Sequence, residues 1–240
     1  MGVVRNLAVL LFIVAIPLAL ISTNVRFLAN EGKVYAYAFD EYDAPARTGI
    51  ARGELVRASA ELRDYFNNNA EFFYPRVKQG DREVSLFNER EVNHMHDVKQ
   101  VFRWVFHVNE IAIIYILAYV AGVFVWARER SLRALAVHSL IGGLLTIGII
   151  VLLGVFAISG FERAFERFHF IAFSNDLWRL DPRTDHLIQM FPEEFWFDVT
   201  MLTGLLTLAE GALVSLFATM HLTVTHGSPR GALTPSRQHI

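Results

Sequence analysis

Four long apolar stretches constrain this chain more than any other feature: Val3–Thr23, Trp104–Ala127, Arg133–Ser159 and Val199–Thr223. A hydrocarbon core of ~30 Å takes ~20 apolar residues in one α-helix, because backbone groups in lipid must be satisfied internally. The chain is 53% hydrophobic, with a mean hydropathy of +0.34, yet 19% of its residues are charged. The charge must therefore sit between the stretches. No internal repeat or low-complexity linker divides residues 1–240, which read as a single membrane domain. The fold class expected is an α-helical membrane protein, a four-transmembrane-helix bundle (spans 3–23, 104–127, 133–159 and 199–223) with a small mixed α/β extracytoplasmic cap.

Orientation follows from the short connections. Arg128, Arg130 and Arg133 crowd the turn 128–132, and Arg230 and Arg237 lie in the tail 224–240, so that side is expected to be cytoplasmic. An even number of spans puts Arg5 there too. Segments 24–103 and 160–198 then both lie outside, on the extracytoplasmic face. The first stretch is longer than a secretory h-region and lacks an A-x-A cleavage site, so it reads as an uncleaved anchor. With no cysteine, the cap depends on packing alone. Interleaved acids and bases, net charge −2, argue against a nucleic-acid partner.

In the first outer segment, aromatics at every second residue from Val34 to Phe39 predict a strand, and Leu55, Ala58 and Leu62 predict a helix over 54–66. Residues 72–77 and 83–87 flank Gly80-Asp81 as a hairpin, with Pro75 suited only to an edge. Asn88 and Glu91 resemble a capping box opening a helix on which Glu91, His94, Asp97 and Val98 share a face. His96 lies roughly 200° from His94 and does not. In the second segment, Phe161, Phe165 and Phe168 follow helical spacing with Glu162, Glu166 and His169 on a neighbouring face, as in a helix lying in the membrane interface. Its many aromatics form either an interfacial belt or a pocket for acyl chains. Glu210, within the fourth span, is expected to be protonated or paired, either as a functional group or through a structural bond to Ser, Thr or His. Glu110 is placed to face the loops and tune a histidine. Gly142, Gly143, Gly148 and Gly154 are expected to permit close helix packing.

The run Glu91-Val92-Asn93-His94-Met95-His96-Asp97-Val98-Lys99, followed by Phe168-His169-Phe170-Ile171-Ala172-Phe173-Ser174-Asn175-Asp176-Leu177-Trp178-Arg179-Leu180-Asp181-Pro182, resembles the bacterial lipoprotein intramolecular transacylases. These are small four-span membrane proteins with an extracytoplasmic cap. The likeness continues through Asp185, Leu187, Ile188 and Phe191-Pro192-Glu193-Glu194-Phe195. It implies transfer of the sn-2 acyl chain of a diacylglyceryl group onto the α-amino group of a lipoprotein's N-terminal cysteine, giving the lyso form. It also implies a place in the bacterial cytoplasmic membrane, with diacylglyceryl-modified lipoproteins and membrane lipids as partners. The family's two catalytic histidines match His94 and His169.

Two histidines suit such a reaction, because imidazole, with its ordinary pKa of ~6.5, can both take and return a proton. The reaction needs an amine deprotonated, a glyceryl oxygen protonated and an oxyanion held. The substrate brings its own nucleophile, and neither a cysteine nor a G-x-S-x-G elbow is present to form an acyl-enzyme. His94 is taken as base, oriented by Asp97 or by a carboxylate of the other loop, and His169 as proton donor or oxyanion stabiliser, with the reverse assignment also open. Glu91, Asp97, Glu166 and Asn175 are candidate supporting residues, and Phe168, Phe173, Trp178 and Phe191 candidate pocket residues. Neither metal nor cofactor is expected, although a metal-dependent membrane hydrolase using His94, Asp97 and His169 stays open as a minor alternative with an incomplete ligand set. The alternative reading is a noncatalytic lipid- or lipoprotein-binding membrane scaffold.

Overall fold

The computed structural model describes residues 2–126 and 130–226. Arg128, Arg230 and Arg237, which helped to set the expected orientation, lie outside the described residues. Among the described residues four helices are long and apolar enough to cross a membrane: α1 (Gly2–Asn30), α5 (Glu89–Trp126), α6 (Arg130–Ile158) and α9 (Glu193–His226). Between them lie α2 (Gly32–Glu41), α3 (Ala44–Thr48), α4 (Arg52–Asn67), β1 (Arg76–Gln79) and β2 (Arg82–Ser85). The second connection holds α7 (Phe161–Ala172) and α8 (His186–Met190).

The 38 residues of α5 span ~57 Å at 1.5 Å per residue, nearly twice a hydrocarbon core. Its apolar stretch begins after Arg103, so the charged turns from Glu89 to Arg103 stand clear of the membrane-spanning part. His94 is therefore carried on a rigid extension of a span and not on a loop.

Within the bundle, α1 packs against α5, α6 and α9, and α6 against α9. The α6–α9 contact depends on small residues. A Cβ on Gly143 would fall onto Ser215 Oγ and 2.9 Å from the Gly211 carbonyl, and one on Gly142 would meet Ile16. At Gly148 and Gly154 it would meet nothing within 4 Å, so the close-packing expectation fails there: both face open space. Asn24 of α1 donates to Thr207 Oγ1 at 3.0 Å and to Glu210 Oε2 at 2.8 Å, so Glu210's partner is an amide and not the Ser, Thr or His expected. Glu110 pairs with Arg26 at 2.9 Å and lies 3.6 Å from His107, away from the motif histidines.

At one end of the bundle the connecting segments share a single apolar core. Tyr35, Phe39, Leu62, Tyr65, Val92, Met95, Phe191 and Phe195 meet there. The strand expected over Val34–Phe39 is instead helix α2. Tyr35, Ala38 and Phe39 are its buried residues, a spacing of three and four that presents one helical face to this core, while the alternation seen in sequence has no partner strand. Glu31 opens α2 by accepting from Lys33 N at 3.0 Å. The hairpin forms with Arg76 opposite Ser85 and Gln79 opposite Arg82, and Gly80 takes the positive φ of 61° in its turn. Its strands are shorter than expected, because Phe73 and Phe87 turn into the core and Pro75 has no N–H to pair.

The start of α5 is fixed by a reciprocal capping box: Glu91 N donates to Asn88 Oδ1 at 3.0 Å and Asn88 N to Glu91 Oε2 at 2.8 Å. The same two side chains clasp the second connecting segment. Leu187 N donates to Glu91 Oε1 at 2.6 Å, and Asn88 Nδ2 to Asp185 Oδ1 at 2.9 Å. Two distant segments are thereby locked at the base of α5.

Candidate active site

His94 projects from the extension of α5 and His169 from the last turn of α7. Both are buried, at 6% and 7% exposure, and their ring centroids lie 6.2 Å apart. Phe173 fills the angle between them, 5.2 Å from His94 and 5.6 Å from His169. Phe165, Trp178 and Phe168 surround His169 at 4.3, 4.9 and 5.3 Å. The result is an aromatic enclosure with two imidazoles as its chemistry.

The amphipathic sequence of α7 explains this placement. One face turns His169 inward, while Phe168, Phe170 and Ile171 remain exposed, as suits a helix on a lipid surface. The following segment returns Trp178 to the site. Arg90 of α5 anchors it by donating to the carbonyls of Asp176 and, at 3.3 Å, Leu177. Sequence reasoning passed over Arg90, whose partners are backbone atoms that no residue pattern marks.

The two imidazoles differ in their bonding. His169 Nδ1 is 2.7 Å from the Phe165 carbonyl oxygen one turn earlier. A carbonyl only accepts, so Nδ1 carries the hydrogen and the neutral ring keeps a free lone pair on Nε2. His94 Nδ1 is buried with no hydrogen-bond partner among the described residues. Burial, then the neighbouring His169, lowers the His94 pKa to about 4, with Asp97 opposing. Burial also lowers His169, and its bond to Phe165 acts in the opposite direction. Both rings are held toward the neutral form at neutral pH.

The candidate supporting residues separate. Asn175 Nδ2 donates to Asp97 Oδ2 at 2.8 Å, bridging α5 to the segment after α7. Asp97 thus touches Asn175 and acts on His94 only through its field. Glu91 belongs to the capping clasp, where burial raises its pKa. Glu166 is exposed on α7 and enters no hydrogen bond or ion pair among the described residues. Of the expected pocket residues, Phe168, Phe173 and Trp178 line the enclosure. Phe191 packs instead with Tyr35, Phe39 and Phe195 in the cap core, which reaches it first because α8 directs it inward. His96 stacks on Phe72 at 5.1 Å, away from this pair. Among the described residues no three His, Cys, Asp or Glu side chains converge as a metal site.

The family described as "Lipoprotein intramolecular transacylase Lit" matches residues 10–196. An uncharacterised protein of Aquifex aeolicus is 30% identical over 215 residues, covering 88% of this chain and 92% of its own length. The membrane integral lipoprotein intramolecular transacylase Lit of Bacillus cereus has the same fold, with a TM-score of 0.77, 21% identity, and coverage of 95% of this chain and 100% of its own. A variant of that protein with one histidine replaced by arginine superposes with a TM-score of 0.70 at 21% identity, over 94% of this chain and 95% of its own. The present chain is an integral membrane protein and belongs to the lipoprotein intramolecular transacylase Lit family.

Proposed function

We propose that this protein moves the sn-2 acyl chain of a diacylglyceryl-modified bacterial lipoprotein onto the α-amino group of the lipoprotein's N-terminal cysteine. The site would face the extracytoplasmic side of the cytoplasmic membrane, with both termini inside. The observation that carries this reading is the meeting of two motif histidines, from separate segments, at 6.2 Å in a buried aromatic enclosure at the bundle's end.

The bonding of the imidazoles favours a division of labour opposite to the first of the two open from sequence. His169, with its hydrogen fixed on Nδ1, offers Nε2 as base. The free amine attacks the ester carbonyl, and a new C–N bond forms. The nitrogen, now positive, gives its proton to His169, which returns it to the sn-2 glyceryl oxygen as the C–O bond breaks. The product is an amide and a free secondary hydroxyl, isomeric with the substrate. The neutral ring of His94 donates an N–H to the oxyanion, a role that its low pKa suits because it is not asked to hold a proton. Phe165, Phe168, Phe173 and Trp178 exclude water, which would otherwise hydrolyse the ester, and fold the lipid head so that amine and carbonyl meet. Such positioning is worth up to ~7 to 11 kcal/mol.

The test is expression in a bacterium that makes diacylglyceryl lipoproteins, followed by tandem mass spectrometry of the N-terminal lipopeptide. The parent mass stays the same, and fragment ions move one acyl chain from glycerol to nitrogen. His169→Ala should abolish the move, and His94→Ala should reduce it sharply. A chain that binds lipoprotein but leaves its fragmentation unchanged is a scaffold and not an enzyme.

A further inference from the structure

Four buried side-chain nitrogen or oxygen atoms lack a hydrogen-bond partner among the described residues: Arg63 Nε, His94 Nδ1, Trp178 Nε1 and Gln189 Oε1. Arg63 and Gln189 satisfy other atoms of the same group, through the Asn30 and Pro182 carbonyls. Trp178 has a single polar atom, and that atom is the orphan. An unmade hydrogen bond of this kind costs ~1–3 kcal/mol. Its position is not incidental, because the indole packs against His169 with centroids 4.9 Å apart and the rings tilted by 34°.

We propose that the indole N–H of Trp178 is a second catalytic donor, holding the oxygen of the transferring acyl carbonyl as negative charge builds on it. This rests on the transacylase reading of the site. An indole nitrogen can only donate, so a substrate group that meets it must be an acceptor. The lipid head offers ester carbonyls and a thioether, and only the carbonyl under attack gains charge in the transition state. A donor there stabilises the transition state above the ground state, which raises kcat.

The indole is also pre-set. Phe170 packs edge-on at 5.2 Å, and the Arg179 guanidinium lies 5.1 Å from the ring centroid on its face. Arg90 pins the two preceding carbonyls. These contacts hold the orientation of the ring, and the cation above it draws electron density from the indole and sharpens the N–H as a donor.

Replacing Trp178 with 3-benzothienylalanine keeps the bicyclic shape and deletes only the N–H. Trp178→Phe serves as a second variant. Rates would be measured on a synthetic diacylglyceryl-cysteinyl peptide in detergent, with thermal unfolding as the check on folding. The expected result is a kcat lower by ~10²-fold, with KM within a few-fold and the pH profile unmoved. A benzothienyl variant at full kcat, or a loss confined to KM, overturns the proposal and leaves Trp178 as a packing residue. His169→Ala is run alongside. If it is inert while the benzothienyl variant is fully active, only the Trp178 proposal fails. If it is fully active, the transacylase reading of the site fails first.

Discussion

The imidazoles of His94 and His169 lie 6.2 Å apart but are bonded in opposite ways: His169 Nδ1 is tied to the Phe165 carbonyl at 2.7 Å, whereas His94 Nδ1 has no partner among the described residues. One ring has its tautomer set by its own helix. The other has no such bond among the described residues.

That asymmetry makes the two positions unequal to substitution. His94→Asn keeps a side-chain N–H and should retain more activity than His94→Ala. His169→Asn supplies no base and should be as inactive as His169→Ala. The single-donor loss at His94 is expected to cost ~10² to 10³ in kcat. Single-turnover assays of the four variants would check the order, and equal residual rates for all four would contradict it.

Stability should depend on pH through the same group. His94 titrates at about 4 in the folded protein against an ordinary 6.5. Between those values the unfolded chain binds the proton more readily than the folded one. The histidine's contribution is therefore intact above pH 6.5 and is lost as the pH falls toward 4. The whole effect is on the order of 3 kcal/mol. Thermal unfolding in detergent should show the melting temperature falling across this range, and His94→Gln should flatten much of the fall.

Asn175 should act at a distance. Its 2.8 Å bond to Asp97 ties the segment that carries Trp178 to the helix that carries His94. Asn175→Ala breaks that tie at a partly exposed site, so the stability cost is modest, ~1 kcal/mol. The expected functional effect is a several-fold fall in kcat with little change in KM, and Asn175→Gln should not repair it if the reach of the side chain matters. Steady-state kinetics separate the two constants.

Glu91 should matter for folding more than for chemistry. Its carboxylate accepts from the Asn88 and Leu187 amides at 2.8 and 2.6 Å while 1% exposed. Glu91→Ala leaves two amides unsatisfied, at a cost of ~2–4 kcal/mol. The melting temperature should drop by several degrees. Near-normal kcat for whatever protein remains folded would separate this role from that of His94, one turn away.

Much of this molecule is legible in its sequence because the relevant physics is local. The spans follow from apolar length, the capping box from Asn88 and Glu91, and α7 from the helical spacing of Phe161, Phe165 and Phe168. Even the His169–Phe165 bond spans one helical turn, a relation that any histidine inside a helix can form. The sequence pattern of Val34–Phe39 misled because Tyr-Ala alternation satisfies a strand face and a helix face at once, and only the surrounding core chose between them.

What the chain's order determines by itself is the four long apolar helices, the helices α4 and α7, and the two histidine-bearing motifs. The tertiary structure decides that His94 and His169 meet, that Trp178 packs beside His169 with its N–H unpaired among the described residues, that Phe191 belongs to the core, and that Asp97 bonds to Asn175 and not to His94. The reason is that His94 on α5 and His169 on α7 are separated in the chain by the apolar part of α5 and all of α6. Their contact depends on how α1, α6 and α9 pack and on how the cap buries its aromatics, a sum of many weak terms that no local pattern carries.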